Sequence, residues 1–235
     1  MMMTWLVVVA ASSALLLGAA WGLFGHLSKR MEGFLIALAG GALLLSVVTE
    51  LIQPAIERSN VYTAMAGVAA GAITFALVDY WIDEKWGPDS GGGLLAAITL
   101  DGIPENLALG VALIGAAPQA VMALAGSIFL SNLPEAAGAA RQMSEGGRSR
   151  WQILGLWGAT AALLSVAAIG GNLLLAGVSE HLLALIRTFA AGAVVASLAT
   201  EVFPQAYREG RHWAGIATAL GVILAFALGE LGAVS

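Results

Sequence analysis

Five carboxylates lie well inside apolar stretches of this 235-residue sequence, where a charged side chain is costly. They are Glu50, Asp101, Glu105, Glu135 and Glu201. On insertion scales, one such group at the centre of a bilayer costs about 2.5–3.5 kcal/mol. No Lys or Arg lies near the middle of these stretches, so the chain itself supplies no neutralising cation there. Protons or a bound cation must take that role, which indicates a pathway for cations or protons.

The spacing of the polar residues predicts two helix faces that carry oxygen ligands. Asp101 and Glu105 are four residues apart, so they share one face of a helix. Ser131 and Glu135 have the same spacing, and Asn132 lies three residues before Glu135. Each face therefore combines a glutamate with a second oxygen-bearing side chain.

A proline directly before each of these two glutamates adds further oxygen atoms. Pro104 and Pro134 have no N–H, so the carbonyls of Leu100 and Leu130 lose their helical hydrogen bonds. Freed carbonyls inside a bundle can bind an ion or a water molecule. Gly102 also permits close approach of another backbone.

The composition is that of a polytopic membrane protein. Charged residues make up 11% of the chain and hydrophobic residues 59%, whereas soluble domains carry about 25% charged residues. The absence of cysteine excludes disulfides, thiolate metal sites and cysteine nucleophiles. A net charge of −5 offers no basic face for nucleic acid.

Eight apolar stretches, each about 20 residues long, are predicted to span a lipid bilayer as helices. They are residues 5–25, 33–55, 61–80, 93–115, 118–140, 151–176, 181–206 and 213–234. We expect residues 1–235 to form a single transmembrane transporter domain. The first stretch is interpreted as a retained helix, because no basic residue precedes it as in a signal peptide.

Basic residues are concentrated in the joints that follow the odd-numbered stretches. Eight of the ten lie there, namely Lys29, Arg30, Lys85, Arg141, Arg148, Arg150, Arg208 and Arg211. Arg58 and Arg187 are the two on the other side. The positive-inside rule therefore predicts a multi-pass protein of the cell or inner membrane, with both termini on the non-cytoplasmic side.

Two internal similarities predict an inverted repeat. Thr49 and Glu50 follow a Gly-Ala pair in the second stretch, and Thr200 and Glu201 follow one in the seventh, with the same nine-residue spacing from Gly to Glu. The Pro-Glu motifs of the fourth and fifth stretches form a second matched pair. We expect an all-α fold in which stretches 1–3 and 6–8 are related around central stretches 4 and 5. Such repeats are typical of transporters, with the substrate site near the membrane midplane.

The sequence resembles the ZIP (Zrt/Irt-like) family of metal-ion transporters along essentially its whole length. Residues 101–110, DGIPENLALG, are similar to the family's His-Asn-x-Pro-Glu-Gly pattern in the fourth segment. Residues 131–135, SNLPE, resemble its fifth-segment pattern. Residues 200–201 match a His-Glu pair in the seventh segment, and residues 49–50 lie at the related place in the second.

The resemblance implies that a divalent metal ion, zinc or a related ion such as Mn, Fe or Cd, is carried towards the cytosol as the substrate. It implies a site between the fourth and fifth segments, formed by Asp101, Glu105, Ser131, Asn132 and Glu135. In such a transporter we expect Glu50 and Glu201 to line the pathway or relay protons, and the other predicted pathway residues are Thr49, Thr200 and Asn106. A homodimer in the lipid bilayer is also implied.

The chain departs from the family pattern at several ligand positions. Asp101 and Gly102 replace the family's His and Asn, and the sixth stretch carries no carboxylate. Carboxylate and carbonyl oxygens suit harder cations such as Mg, Ca or Mn, whereas imidazole suits zinc. We therefore expect one dominant metal site rather than two.

Three alternatives stay open at this point. The same acids would serve a transporter of protons or small organic cations, and a metal-binding membrane protein without transport activity also fits. An enzyme is not expected, because no stretch contains a buried histidine and there is neither a cysteine nor a Gly-x-Ser-x-Gly motif. Metal binding by the purified protein discriminates between metal and proton as cargo.

Overall fold

The computed structural model describes residues 2–25, 28–86, 91–115 and 121–234. These ranges contain helices and short turns but no β-strand, which confirms the all-helical prediction for them. The α-helices are α1 (Met2–Phe24), α2 (Lys29–Val47), α3 (Gln53–Arg58), α4 (Val61–Trp86), α5 (Gly91–Ala112), α6 (Met122–Glu145), α7 (Arg150–Leu175), α8 (Glu180–Ser197), α9 (Phe203–Gly210) and α10 (Trp213–Val234). Two π-helical turns, Val48–Ile52 and Leu198–Val202, join α2 to α3 and α8 to α9 without a break.

Six helical segments in the described ranges are long and apolar enough to cross a membrane. They are Trp5–Phe24, Lys29–Arg58, Val61–Ile82, Arg150–Leu175, Glu180–Gly210 and Trp213–Glu230. They coincide with six of the predicted stretches, and the chain has the build of a multi-pass membrane protein. Helices α5 and α6 correspond to the fourth and fifth stretches and carry the polar motifs. The fifth stretch begins at Pro118, outside the described residues, and the count of eight spans stays a prediction.

A serine side chain caps the N-terminus of each of the two long helical segments that contain a π-turn, Lys29–Arg58 and Glu180–Gly210. Ser28 accepts a hydrogen bond from the Met31 N–H at 3.3 Å, and Ser179 accepts one from the Leu182 N–H at 3.4 Å. The first N–H groups of a helix have no partner within it, and a serine at this position satisfies one of them. The two segments therefore begin with the same kind of N-terminal cap.

Close backbone contacts hold α2 against α10 and α4 against α8. A β-carbon at Gly221 of α10 would overlap the Leu38 carbonyl of α2. A β-carbon at Gly71 of α4 would likewise overlap the Phe189 carbonyl of α8. Small residues at such crossings are typical of membrane helices, whose association depends on close packing rather than on the hydrophobic effect.

The helices with the Pro-Glu motifs lie within the bundle. Helix α6 packs against α1 and α2, and α5 packs against α7 and α8. Leu109 of α5 and Leu124 and Ile128 of α6 are fully buried in one apolar cluster with residues of α2 and α8. This packing fixes where the polar faces of α5 and α6 lie.

The two ends of the bundle each carry an ion pair, and the two pairs differ in burial. At one end, termed the Arg141 end, Arg141 Nη2 lies 3.0 Å from Glu32 Oε2, and the Glu32 side chain is only 2% exposed. At the other, termed the Arg58 end, Arg58 Nη1 lies 3.4 Å from Glu180 Oε2, and these side chains are 43% and 66% exposed. The ion pair at the Arg141 end is therefore the more buried of the two.

Candidate cation site

Glu135 interacts electrostatically with two other predicted acids, and the three residues come from different helical segments. Glu105 of α5 is buried, with 4% of its surface exposed. Glu135 of α6 is partly buried and lies close enough to Glu105 for their charges to interact. Glu201, in the second π-turn, has the same electrostatic relation to Glu135. Like charges in a region of low dielectric repel strongly, so this region favours a positively charged occupant.

Neutral polar groups surround the two glutamates on their own helices. Ser131 Oγ donates a hydrogen bond to Glu135 Oε1 at 2.7 Å, as their four-residue spacing predicts. Asn106 is fully buried, and its Nδ2 donates to the Gly102 carbonyl at 2.9 Å. In the described part of the chain, neither Asn106 Oδ1 nor Asn132 Nδ2 has a hydrogen-bond partner. The Asn106 oxygen is an acceptor that a water molecule or a cation can satisfy, whereas the Asn132 nitrogen is a donor and needs an acceptor such as water.

The two predicted Thr-Glu pairs each lie in a π-turn. In the first turn the Gln53 N–H bonds to the Val48 carbonyl, five residues earlier, and Phe203 and Leu198 form the same bond in the second. A proline follows each turn and has no N–H for the carbonyl four residues before it, so the wider turn fits the sequence. Single π-turns inside α-helices are rare and occur frequently at functional sites.

The threonines of these turns bond to their own helices instead of reaching the acids of α5 and α6. Thr49 Oγ1 donates to the Leu45 carbonyl at 3.2 Å and to Glu50 Oε1 at 3.4 Å. Thr200 Oγ1 donates to the Ala196 carbonyl at 3.1 Å. Both threonines are exposed, whereas Glu50 is partly buried in a turn that contacts α5 and α8. The structure thus brings a glutamate, but not a threonine, from the second π-turn to the acids.

Asp101 belongs to α5, but its side chain lies outside the part of the structure that is described. Among the described side chains, which leave out Asp101, no three His, Asp or Glu lie close enough together to hold a metal ion. The described donors are therefore a glutamate pair, a nearby third acid, and hydroxyl and amide groups. Asp101 stays a predicted ligand.

A buried arginine holds the end of α5, although the sequence interpretation gave this residue no role beyond its contribution to sidedness. Arg187 of α8 is 3% exposed, and its Nη2 donates to the carbonyls of Val111 at 3.2 Å and Ile114 at 3.1 Å. The last carbonyls of a helix lack partners within it, and a cation there also suits the helix dipole. A charge inside an apolar stretch is the signal that could have revealed this contact.

Replacing Arg187 by Met will lower the free energy of unfolding by about 1.5–3 kcal/mol for each charged hydrogen bond lost. Methionine fills much of the space but supplies no donor to the Ile114 carbonyl, while the Val111 carbonyl keeps its hydrogen bond from the Ile114 N–H at 3.1 Å. Thermal unfolding in detergent measures the change. Arg58→Met is the matched control, because its exposed pair with Glu180 is worth about 0–1 kcal/mol. An equal loss in both variants would contradict the capping role.

Comparison with known proteins leaves the family of this chain open. No protein-family model matches the sequence, and no curated protein matches it as a relative. The argument for a function therefore depends on the residues and the geometry described above.

Proposed function

We propose that the chain is a ZIP-like transporter that carries divalent metal cations across a membrane towards the cytosol. The observation that carries this proposal is the proximity of Glu105 and Glu135 inside an apolar bundle. Two neighbouring carboxylates disfavour each other's charged form, and one divalent cation compensates both charges at once. The resemblance of residues 101–110 and 131–135 to ZIP motifs supports the same function.

The donor set favours a cation that accepts oxygen ligands. Carboxylates of Glu105 and Glu135 supply charge, and Asp101, Ser131 and Asn132 are the predicted neighbours that complete the shell. Oxygen donors suit Mg, Ca and Mn, and zinc also binds carboxylate oxygen at four-coordinate sites. We propose zinc or a related ion such as Mn, Fe or Cd as the cargo, held at one dominant site.

The helix packing supports the proposal of an inverted repeat around α5 and α6. The proposed repeat relates α1 to α7, α2 to α8, α4 to α10 and α5 to α6. It relates the α2–α10 contact to the α4–α8 contact, and the α1–α6 contact to the α5–α7 contact. All four contacts exist. Ser28 and Ser179 are separated by 151 positions, as are Gly41 and Gly192. We propose eight spans in which one repeat moves against the other to give alternating access.

The proposed orientation places the Arg141 end in the cytosol and both termini on the opposite side. It follows from the basic joints, since most Lys and Arg lie in joints at the Arg141 end. In this arrangement a cation enters from the Arg58 end, binds at Glu105 and Glu135, and leaves at the Arg141 end. The homodimer implied by the resemblance stays a prediction.

Uptake by proteoliposomes tests the proposed function. The purified protein is reconstituted, and uptake of Zn, Mn, Fe, Cd, Co and Mg is compared side by side with that of Glu105→Ala/Glu135→Ala. We expect uptake of at least one transition-metal ion by the wild type and none by the double variant. Proton flux without metal uptake would instead favour a proton transporter, and no flux of any ion by folded protein would contradict transport.

Uptake is expected to slow as the medium is acidified. Carboxylate ligands must lose their protons before they bind a cation, so protons compete with the metal at Glu105 and Glu135. Initial rates measured between about pH 8 and about pH 5, spanning the ordinary range of protein carboxyl titration and its upward shifts, check the sign. Faster uptake towards acid would contradict cation binding as the pH-sensitive step.

A further inference from the structure

The Arg141 end contains an ion pair with a buried glutamate that the proposed cation site does not use. Glu32 near the start of α2 is 2% exposed, and Arg141 near the end of α6 reaches it with a 3.0 Å contact. Gly138 makes room for the Glu32 carboxylate, because a β-carbon at this position would overlap Oε1. The carboxylate therefore occupies a socket on α6 that a side chain at residue 138 would fill.

A third helix joins the pair at the same end. Glu209 at the end of α9 interacts electrostatically with Glu32 and with Arg141. Its Oε2 is buried and has no hydrogen-bond partner among the described residues. Helix α9 also approaches α2 closely, because a β-carbon at Gly33 would overlap the Gly210 backbone nitrogen. Three helices thus converge around one arginine.

Gly138, which receives the Glu32 carboxylate, links the ion pair to the cation site along α6. Gly138 is three residues beyond Glu135, so the two positions are neighbours on adjacent turns of the helix. Arg141 is six residues beyond Glu135, which is about 9 Å along the helix axis and about 120° around it. The ion pair therefore lies less than two turns of α6 from the cation site, towards the Arg141 end.

We propose that Glu32 and Arg141, with Glu209 beside them, form a gate that closes the Arg141 end and separates when that end opens. A pair with a buried carboxylate suits such a device, because separating it leaves the Glu32 charge uncompensated unless that group becomes hydrated. The Arg58–Glu180 pair at the opposite end is exposed and holds its helices weakly. The inference that this gate controls the passage of a divalent cation rests on the proposed function. Closure of the gate can be measured without any metal.

The cysteine-free sequence allows a direct test of closure. Ser131→Cys places a single thiol at a buried position on the site side of the gate. A membrane-impermeant maleimide is applied to each face of oriented proteoliposomes. We expect slow labelling from the Arg141 face, and labelling at least about tenfold faster when Glu32→Gln is added, because the rate follows the population of the open state.

Further variants distinguish the opening of a gate from a general loosening of the helix packing. Glu32→Gln keeps the size of the side chain and removes its charge, while Arg141, which is 32% exposed, still lies 4.0 Å from Glu145 Oε1. Arg141→Lys keeps the positive charge but loses the planar fork, so intermediate labelling is expected. Glu180→Gln, which removes the pair at the Arg58 end, is the matched control and should leave labelling from the Arg141 face unchanged.

The gate would be overturned by fast labelling from the Arg141 face in Ser131→Cys alone. It would also be overturned if folded Glu32→Gln and Arg141→Lys variants label no faster, or if Glu180→Gln speeds labelling as much as Glu32→Gln does. Labelling that responds as expected, in a chain whose wild type takes up no metal, would support the gate while contradicting the proposed cargo. Different measurements would therefore overturn the gate and the proposed transport of metal.

Discussion

Replacing Glu135 by Gln will strongly lower divalent-cation uptake. The loss will exceed the factor of about 10 to 100 that follows removal of a residue that hydrogen-bonds to a metal ligand. Glutamine keeps the size of the side chain and can still accept the Ser131 hydrogen bond. It lacks the charge that, together with Glu105, balances the cation. Glu105→Gln has the same expected result. Initial uptake rates in proteoliposomes of equal protein density provide the measurement.

Two further variants define what the loss means. Glu57→Gln changes an exposed acid of α3 that accepts a hydrogen bond from Gln53 at 3.4 Å, and it should transport like the wild type. Ser131→Ala removes the hydrogen bond to Glu135 but no charge, so its loss should be smaller than that of Glu135→Gln. Wild-type uptake by a well-reconstituted Glu135→Gln protein would rule out the glutamate pair as the cation site.

The largest effect on stability is expected where the helix backbones approach most closely. Gly221→Ala will lower the free energy of unfolding by about 1–3 kcal/mol or more, since an added methyl group has to displace packed backbone. Gly215→Ala on the same helix should be neutral or stabilising, by up to about 1 kcal/mol, because alanine is the better helix former. The β-carbon at Gly215 meets no atom within 4 Å. Thermal unfolding in detergent compares the two.

The proposed repeat extends this prediction to the other half of the bundle. Gly71 meets the Phe189 carbonyl of α8 as Gly221 meets the Leu38 carbonyl of α2. Gly71→Ala should therefore destabilise the protein to a similar extent. A Gly221→Ala variant as stable as Gly215→Ala would contradict the close packing of α2 and α10.

Much of the helical layout could be predicted from hydropathy, because a bilayer demands long apolar segments with internally bonded backbones. The predicted stretch 213–234 has the bounds of α10, Trp213–Val234. The Thr-Glu repeat was also visible in the sequence. Its π-turns were not predicted, since the positions of apolar residues do not show whether a turn closes over four residues or five.

Contacts between distant segments could not be read from local patterns. Glu32 and Arg141 are 109 positions apart, and each taken alone has the features of an ordinary residue at the end of a membrane helix. Arg187 reaches α5 carbonyls 73 and 76 positions away. The proximity of Glu105 and Glu135 was expected, because their repeated Pro-Glu motifs indicated a central helix pair. The electrostatic effect of Glu201 on Glu135 depends on how α8 and α9 pack, which local sequence patterns do not show.

The central claim is that one divalent cation lies between α5 and α6 at Glu105 and Glu135. Anomalous diffraction from crystals grown with Zn²⁺, recorded at the metal absorption edge, tests this claim most directly. We predict a single strong peak about 2.0–2.2 Å from oxygen atoms of both carboxylates. The absence of a peak there in zinc-loaded protein would contradict the site, and two adjacent strong peaks would contradict a single dominant site.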